Sequence, residues 1–157
     1  MLILLCFIFT WPNLALAEGK HSHQHKSQSH ESSVGKPALE SKATRNVKIT
    51  TSDNMRFSFP ENFSLKSGET VTFIVTNDGK IPHEFSIGDE KEQKAHRLMM
   101  RKNPTMVHND GNTITVNPKE TKHLTWQFKG SGTVVFACNI PGHYEGGMFR
   151  KVKVQHL

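Results

Sequence analysis

Short runs of alternating apolar and polar residues, divided by turn sequences, cover most of the chain after residue 44. A period of two places every second side chain on one face of a β-strand. Turn sequences such as Asn77-Asp78-Gly79 and Asn109-Asp110-Gly111 separate the runs. The residues that share apolar faces are Met55, Phe57 and Phe59; Val71, Phe73 and Val75; Ile114 and Val116; Leu124, Trp126 and Phe128; Val134, Phe136 and Cys138; and Val152 and Val154. The pattern therefore predicts an all-β fold, an antiparallel sandwich or barrel.

One stretch, from Asp89 to Arg101, departs from the alternation. Its acidic residues come first, its basic residues come last, and it has few β-branched residues. This order of charges complements a helix dipole, so the stretch predicts a short helical insert. Ala95, Leu98 and Met99 are spaced to lie on one face of that helix.

The run ending in Cys138 is followed by a loop that carries His143 and Met148. Four residues separate Cys138 from His143, and four separate His143 from Met148. Taken alone, Cys138 also fits a small buried apolar residue at the inner end of a strand. Thiolate, imidazole and thioether on one loop with Pro141-Gly142 and Gly146-Gly147 turns favour a metal site.

A fourth metal ligand would have to come from elsewhere in the chain, and the candidate is His83. A histidine after Ile81-Pro82 is on its own more often an ordinary packed or surface residue, although Pro82 stiffens the backbone before it. With His83, the donors would form the His₂Cys set with a weak axial methionine that holds electron-transfer copper. Zinc would accept the two imidazoles and the thiolate but rarely a thioether.

The segments Pro82–Phe85, Met106–Asp110 and Phe136–Met148 carry a resemblance to a known family. Residues 45 to 155 resemble the cupredoxins, the family of plastocyanin and azurin, and most resemble its periplasmic copper-tolerance members of the CopI type. Plastocyanin has a shorter Cys-to-His spacing in this loop, and azurin a shorter His-to-Met spacing. The resemblance implies a Greek-key β-sandwich with one type 1 copper, with His83, Cys138 and His143 as strong ligands and Met148 as axial ligand. Glu84 stands where many cupredoxins have Asn or Ser, which leaves the hydrogen bonding of the cysteine sulfur open.

The first seventeen residues predict a signal peptide, with an apolar run from Leu2 to Phe9 and an Ala15-Leu16-Ala17 cleavage pattern. We therefore expect export to the periplasm, cleavage near Ala17 and no stable membrane insertion afterwards. Cleavage removes Cys6 and leaves Cys138 as the only cysteine. An intramolecular disulfide is then impossible in the mature chain.

Residues 18–43 contain almost no apolar side chains and predict a disordered tail, so the folded domain is expected to span residues 44–157. The tail histidines, which could hold additional weak copper or belong to a solubilising linker, are His21, His23, His25 and His30. A second group of His and Met side chains in the helical insert could suit Cu(I), although ordinary packing is the simpler interpretation. Its members are His96, Met99, Met100, Met106 and His108.

The function that these patterns favour is copper tolerance or homeostasis by an exported type 1 copper protein with one-electron redox capability. The alternative is a dedicated electron shuttle between respiratory partners, which needs no His-rich tail. The chain shows no Ser-His-Asp-like set and no dinucleotide motif, so we expect no catalytic residues. Its net charge of +6 is scattered, without the basic helix of a nucleic-acid-binding protein. We expect a monomer whose partner is a redox or copper-delivery protein.

Overall fold

The computed structural model describes residues 32–156. The predicted signal peptide and the four tail histidines lie outside the described residues. Within residues 32–156, no helix combines the length and the apolar character needed to cross a membrane.

The strands in the described part of the chain form two sheets. They are β1 (Gly35–Pro37), β2 (Arg45–Ser52), β3 (Arg56–Ser58), β4 (Leu65–Lys66), β5 (Thr70–Asn77), β6 (His83–Gly88), β7 (Asn109–Asp110), β8 (Thr113–Val116), β9 (Thr121–Phe128), β10 (Thr133–Ala137) and β11 (Phe149–Gln155). The first sheet has the order β1-β9-β5-β2-β3, and the second has the order β4-β11-β10-β6-β8-β7. The Greek-key β-sandwich predicted from the sequence is confirmed.

The apolar faces of the two sheets meet in one core. Phe73 on β5 contacts Phe85 on β6 and Phe136 on β10, with ring centroids 5.3 Å apart in both pairs. Phe85 and Phe136 stack at 5.4 Å, and all three rings are fully buried. Aromatic pairs of this kind add stabilisation beyond the area they bury. This core lies directly behind the ends of β6 and β10, where the candidate ligands begin.

The predicted antiparallel pairing is wrong at two strand pairs. β2 runs parallel to β5 from Arg45 opposite Val71 to Thr51 opposite Asn77. β4 runs parallel to β11. Alternation predicts strands and their buried faces, but it carries no information on the direction of pairing, because the side-chain period is two in both kinds of ladder.

The predicted start of the domain at residue 44 is also wrong, because residues 32–43 are part of the fold. β1 pairs antiparallel with β9, Gly35 lying opposite Phe128, and a 3₁₀ turn follows at Glu40–Lys42. Val34 is buried, with 2% of its surface exposed. A backbone ladder, one buried valine and the hydroxyls of Ser32 and Ser33, which donate to Glu92 and Asp89, hold this segment. None of these contacts produces an apolar period in the sequence.

The predicted helical insert is present as α1 (Glu90–Lys102), which follows β6 directly. Asp89 caps it: its carboxylate accepts from the Glu92 backbone N–H, and the Glu92 carboxylate accepts from the Asp89 backbone N–H. This reciprocal pair is a capping box. The predicted apolar face differs from the buried one, since Gln93 and Met100 are buried while Leu98 is 50% exposed. Gln93 is buried because its amide donates to the Val135 carbonyl at 2.9 Å.

Candidate metal centre

The four predicted ligands lie at one end of the second sheet. His83 is the first residue of β6, Cys138 comes directly after β10, and Met148 directly precedes β11. Because β6 and β11 are the two neighbours of β10 in this sheet and run antiparallel to it, these three strand ends lie side by side at the same end of the sheet. His83, Cys138 and Met148 have no exposed surface, and His143 is 9% exposed.

Backbone hydrogen bonds fold the loop from Cys138 to Met148 into a fixed shape. The Cys138 N–H donates to the Met148 carbonyl at 3.0 Å, and the Met148 N–H donates to the His143 carbonyl at 3.0 Å. Gly142 and Gly147 have φ values of +88° and +100°, a region that glycine enters without steric cost. From outside the loop, Arg56 Nη1 donates to the Gly146 carbonyl at 2.7 Å. The three donor residues of this loop are therefore held together before any ion arrives.

The donor atoms of His83, Cys138 and His143 converge on one point. The His143 Nδ1 lies 3.2 Å from the Cys138 Sγ and 3.3 Å from the His83 Nδ1. Two imidazole nitrogens bound to one ion at about 2.0–2.1 Å, with an angle of about 107° between them, would lie about 3.3 Å apart. The spacing thus fits a single metal ion held by two nitrogens and one sulfur. Met148 is buried at the end of the loop that carries Cys138 and His143.

Burial makes the metal-free donors neutral. Desolvation raises the pKa of the Cys138 thiol to about 12, even though the Glu84 N–H hydrogen bond favours the thiolate. Desolvation also lowers the pKa of His83 and that of His143 below the usual value of 6.5. The two imidazoles therefore offer lone pairs at neutral pH, whereas the thiol must lose its proton when a metal binds.

Two acidic residues complete the surroundings of the ligands. The Asp53 Oδ1 lies 3.2 Å from the His83 Nε2, so it accepts that N–H and leaves the Nδ1 lone pair directed to the metal position. The Glu84 backbone N–H donates to the Cys138 Sγ at 3.2 Å. The Glu84 side chain also accepts the Asn139 backbone N–H at 3.2 Å. The hydrogen bonding of the sulfur, which the sequence left open, thus comes from the backbone of Glu84 and of Ile140 and not from the Glu84 side chain.

Sequence reasoning missed Asp53. It lies 30 residues before His83, in the turn after β2, and only its turn-forming type was visible in the sequence. The Lys80 backbone N–H holds the pKa of this carboxyl below its usual value and also fixes its position.

The structure divides the His and Met group of the helical insert. His96 and His108 come together beside Glu84, with ring centroids 4.8 Å apart. Met100 is buried, and Met106 is 42% exposed. Among the described residues, two histidines and one carboxylate are therefore the His, Asp, Glu or Cys side chains that meet here, and Met99 lines the cavity beside the two rings.

Comparison with known families and proteins identifies relatives over the same range. The model of the family of copper-binding proteins of the plastocyanin/azurin type matches residues 43–155. The copper-resistant cuproprotein CopI of Vibrio cholerae is 46% identical over 123 residues, which cover 78% of this chain and 73% of the relative. The protein with the same description from Rubrivivax gelatinosus is 38% identical over 157 residues, covering 97% and 94% of the two chains.

Solved structures of similar shape include bacterial auracyanins. The dithionite-reduced auracyanin of Roseiflexus castenholzii matches with a TM-score of 0.59 and 22% identity, covering 72% of this chain and 98% of the other. Auracyanin A of Chloroflexus aurantiacus, a blue copper protein, gives 0.57 and 24%, covering 70% and 98%. These likenesses support the fold.

Proposed function

Because the chain belongs to the plastocyanin/azurin family of copper-binding proteins, we propose that His83, Cys138 and His143 hold one type 1 copper ion with Met148 as the axial ligand. The observation that carries the proposal is the position of the His143 Nδ1, which lies 3.2 Å from the Cys138 Sγ and 3.3 Å from the His83 Nδ1. Met148 supplies the weak thioether donor that distinguishes such a copper site from a zinc site.

We propose further that the protein acts in copper resistance, as the name of its relatives says of them, and that it does so in the periplasm after loss of residues 1–17. Copper bound here would supply a one-electron couple, Cu(II)/Cu(I). The protein then acts as a binding and redox protein and not as an enzyme. Its partner in this role is a redox or copper-delivery protein.

The residues around the site suit a one-electron role because they limit rearrangement. Asp53 fixes the ring of His83, the Glu84 N–H supports the charge on the Cys138 sulfur, and the Arg56 guanidinium holds the loop at Gly146. A site whose ligands stay in place in both oxidation states exchanges an electron with little reorganisation.

The first test is optical. Cu(II) bound through the Cys138 thiolate gives an intense visible charge-transfer band, so Cys138→Ala should abolish the band of the copper-loaded protein. Val134→Ala is the matched control, because Val134 is equally buried on the same strand face and offers no ligand. A colourless wild-type protein after loading with Cu(II) would contradict the type 1 assignment.

The second test is physiological. A deletion strain grown across copper concentrations should fail only under copper stress if the role is copper resistance. A respiratory defect without added copper would instead support the dedicated electron shuttle.

A further inference from the structure

Glu84, His96 and His108 form a second cluster of potential ligands outside the predicted copper centre. Their ligand atoms all lie within 4.8 Å of one another. Glu84 is on β6, His96 is on α1 and His108 directly precedes β7, so three separate elements bring them together. The Glu84 side chain is fully buried, while 13% of the His96 side chain and 10% of the His108 side chain remain exposed.

The spacing within this cluster suits an ion better than direct hydrogen bonds. The His96 Nε2 lies 3.7 Å from the Glu84 Oε2, and the His108 Nε2 lies 3.8 Å from the Glu84 Oε1. Charge-assisted N–H···O bonds close to about 2.7–2.9 Å. Two ligand atoms that are each about 2.0–2.2 Å from one ion lie about 3–4 Å apart at bond angles of about 90–130°. Each histidine nitrogen thus lies at the distance from one Glu84 oxygen that is typical of two ligands of the same ion.

A cavity beside the two histidines gives an ion a way into the cluster. A cavity of about 310 Å³ opens beside the two rings and is lined by Glu92, Ala95, His96, Met99, His108, Asn112 and Thr113. An ion can therefore reach the partly exposed rings from solvent while the carboxylate of Glu84 stays buried behind them. Two imidazoles and one carboxylate are borderline-to-hard donors, which suit Zn²⁺ or Cu²⁺ better than Cu(I).

The proton on His96 decides what binding requires. In the metal-free arrangement the Asn139 amide donates to the Gln93 Oε1 at 2.7 Å and lies 3.2 Å from the His96 Nδ1, which places the ring proton on Nε2. A metal needs the Nε2 lone pair, so the proton must move to Nδ1. The Asn139 Oδ1 is buried without a hydrogen-bond partner among the described residues. After a rotation of the amide group, it can accept a hydrogen bond from the His96 Nδ1–H. Because the bond to Gln93 is lost in this rotation, we expect moderate affinity.

We propose that Glu84, His96 and His108 form a second metal site that takes a divalent transition ion, Zn²⁺ or Cu²⁺, next to the type 1 centre. Glu84 then serves both sites: its backbone N–H bonds the Cys138 sulfur, and its carboxylate binds the second ion. This second site goes beyond the copper-resistance role and does not depend on it.

The test uses Zn²⁺ as a colourless probe on the full-length protein with its type 1 site already loaded with Cu(II). In calorimetric titration, the wild type should bind one Zn²⁺ ion that His108→Gln does not bind, or that the variant binds at least about tenfold more weakly. Glu84→Gln should show the same loss. Any zinc bound by the tail histidines is common to all the proteins and cancels in the comparison.

His123→Gln is the matched control, because His123 also faces a carboxylate, with its Nδ1 3.1 Å from the Glu40 Oε1, but on the exposed surface. It should bind as much zinc as the wild type. Identical isotherms for the wild type and His108→Gln, or an equal loss in His123→Gln, would overturn the second site. His108 is at the rim of the cavity, so its variant keeps the test decisive if Glu84→Gln fails to fold. The visible band reports the type 1 centre separately throughout.

Discussion

At the residue scale, the contrast between Cys138 and the two histidines sets the proton balance of copper binding. Desolvation raises the pKa of the thiol to about 12 and lowers the pKa values of His83 and His143. At pH 7 the thiol carries its proton and the imidazoles do not. Copper binding therefore has to displace a proton from sulfur alone.

We expect about one proton to be released for each Cu(II) bound near pH 7. The apparent affinity should then rise about tenfold per pH unit through the neutral range, and more steeply at acidic pH, where the histidines also carry protons. Calorimetry in buffers of different ionisation enthalpy measures the number. Release of no proton would mean that Cys138 is already a thiolate or does not bind the ion.

The proposed axial role of Met148 can be tested by substitution, because an axial ligand affects the reduction potential. Met148→Leu should keep copper bound and raise the reduction potential, because a donor that helps to stabilise Cu(II) is lost. Met148→Gln should lower it. Each tenfold change in the preference for one oxidation state corresponds to about 59 mV. Cyclic voltammetry would compare both with Met100→Leu, a fully buried methionine of α1 that should leave the potential unchanged. Equal potentials in all these proteins would show that Met148 does not bind the metal.

Three of the four predicted ligands could be found from the sequence because they share one loop, where spacing along the chain limits spacing in space. His83 could be named as a candidate from the sequence, but its place beside Cys138 depends on the packing of distant strands, and the resemblance to a family was needed to favour it. Asp53 could not be predicted, because its role depends on a turn 30 residues away that folds back to the Nε2 of His83. The partnership of Glu84 with His96 and His108 was hidden for the same reason, since a helix and two strands must pack before the three meet.

At the element scale, α1 depends on a cap that also binds the N-terminal segment. The Asp89 carboxylate accepts from the Glu92 N–H at 2.8 Å and from the Ser33 hydroxyl at 2.6 Å. Ser32 in turn donates to the Glu92 carboxylate at 2.8 Å. The start of the helix and the residues before β1 are thus stabilised by the same two acidic side chains.

Asp89→Ala should lower the free energy of unfolding by about 1–2 kcal/mol, because it removes the N-cap acceptor and the bond to Ser33. Urea unfolding of the wild type and the variant measures the difference. Asp78→Ala is the control, since Asp78 is an exposed turn residue, and it should stay within about 0.5 kcal/mol of the wild type. A loss of equal size in both variants would show that the cap contributes nothing specific.

The strands with alternating faces could be predicted because burial leaves a period of two in the sequence. The buried side of α1 could not, because its buried residues include Gln93, whose amide is satisfied by the Val135 carbonyl. β1 left no pattern at all, because its three residues are held by the backbone of β9. Elements held by polar or backbone contacts are therefore the ones that could not be predicted from hydrophobic periodicity.

At the scale of the whole molecule, residues 32–43 belong to the fold, so a deletion that tests the tail should end before residue 32. Deleting residues 18–31 should leave the visible band and the unfolding temperature unchanged while lowering the number of Cu(II) ions bound per chain, because His21, His23, His25 and His30 are lost. The disordered tail predicted from its composition would reach about 20 Å over these residues, so bound copper would stay near the folded domain. Copper stoichiometry at neutral pH is the measurement.

Deleting residues 18–43 provides the contrast, because it also removes β1 and the buried Val34. This longer deletion should lower the unfolding temperature, which the shorter one should not. One copper per chain in both the full-length protein and the shorter deletion would identify the tail as a linker. That result would also weaken copper handling relative to electron transfer.

The strand ends that meet at the proposed copper site are far apart in sequence, since His83 and Cys138 enclose 54 residues between them. An ion that joins them acts as a removable cross-link in a domain whose one described cysteine has no disulfide partner. Closing a loop of this size with a covalent bond removes chain entropy worth about 4 kcal/mol from the unfolded state, and a bound ion adds stability by mass action as well. Proteases degrade the opened chain, so we expect the copper-loaded protein to outlast the metal-free protein in a proteolysis assay.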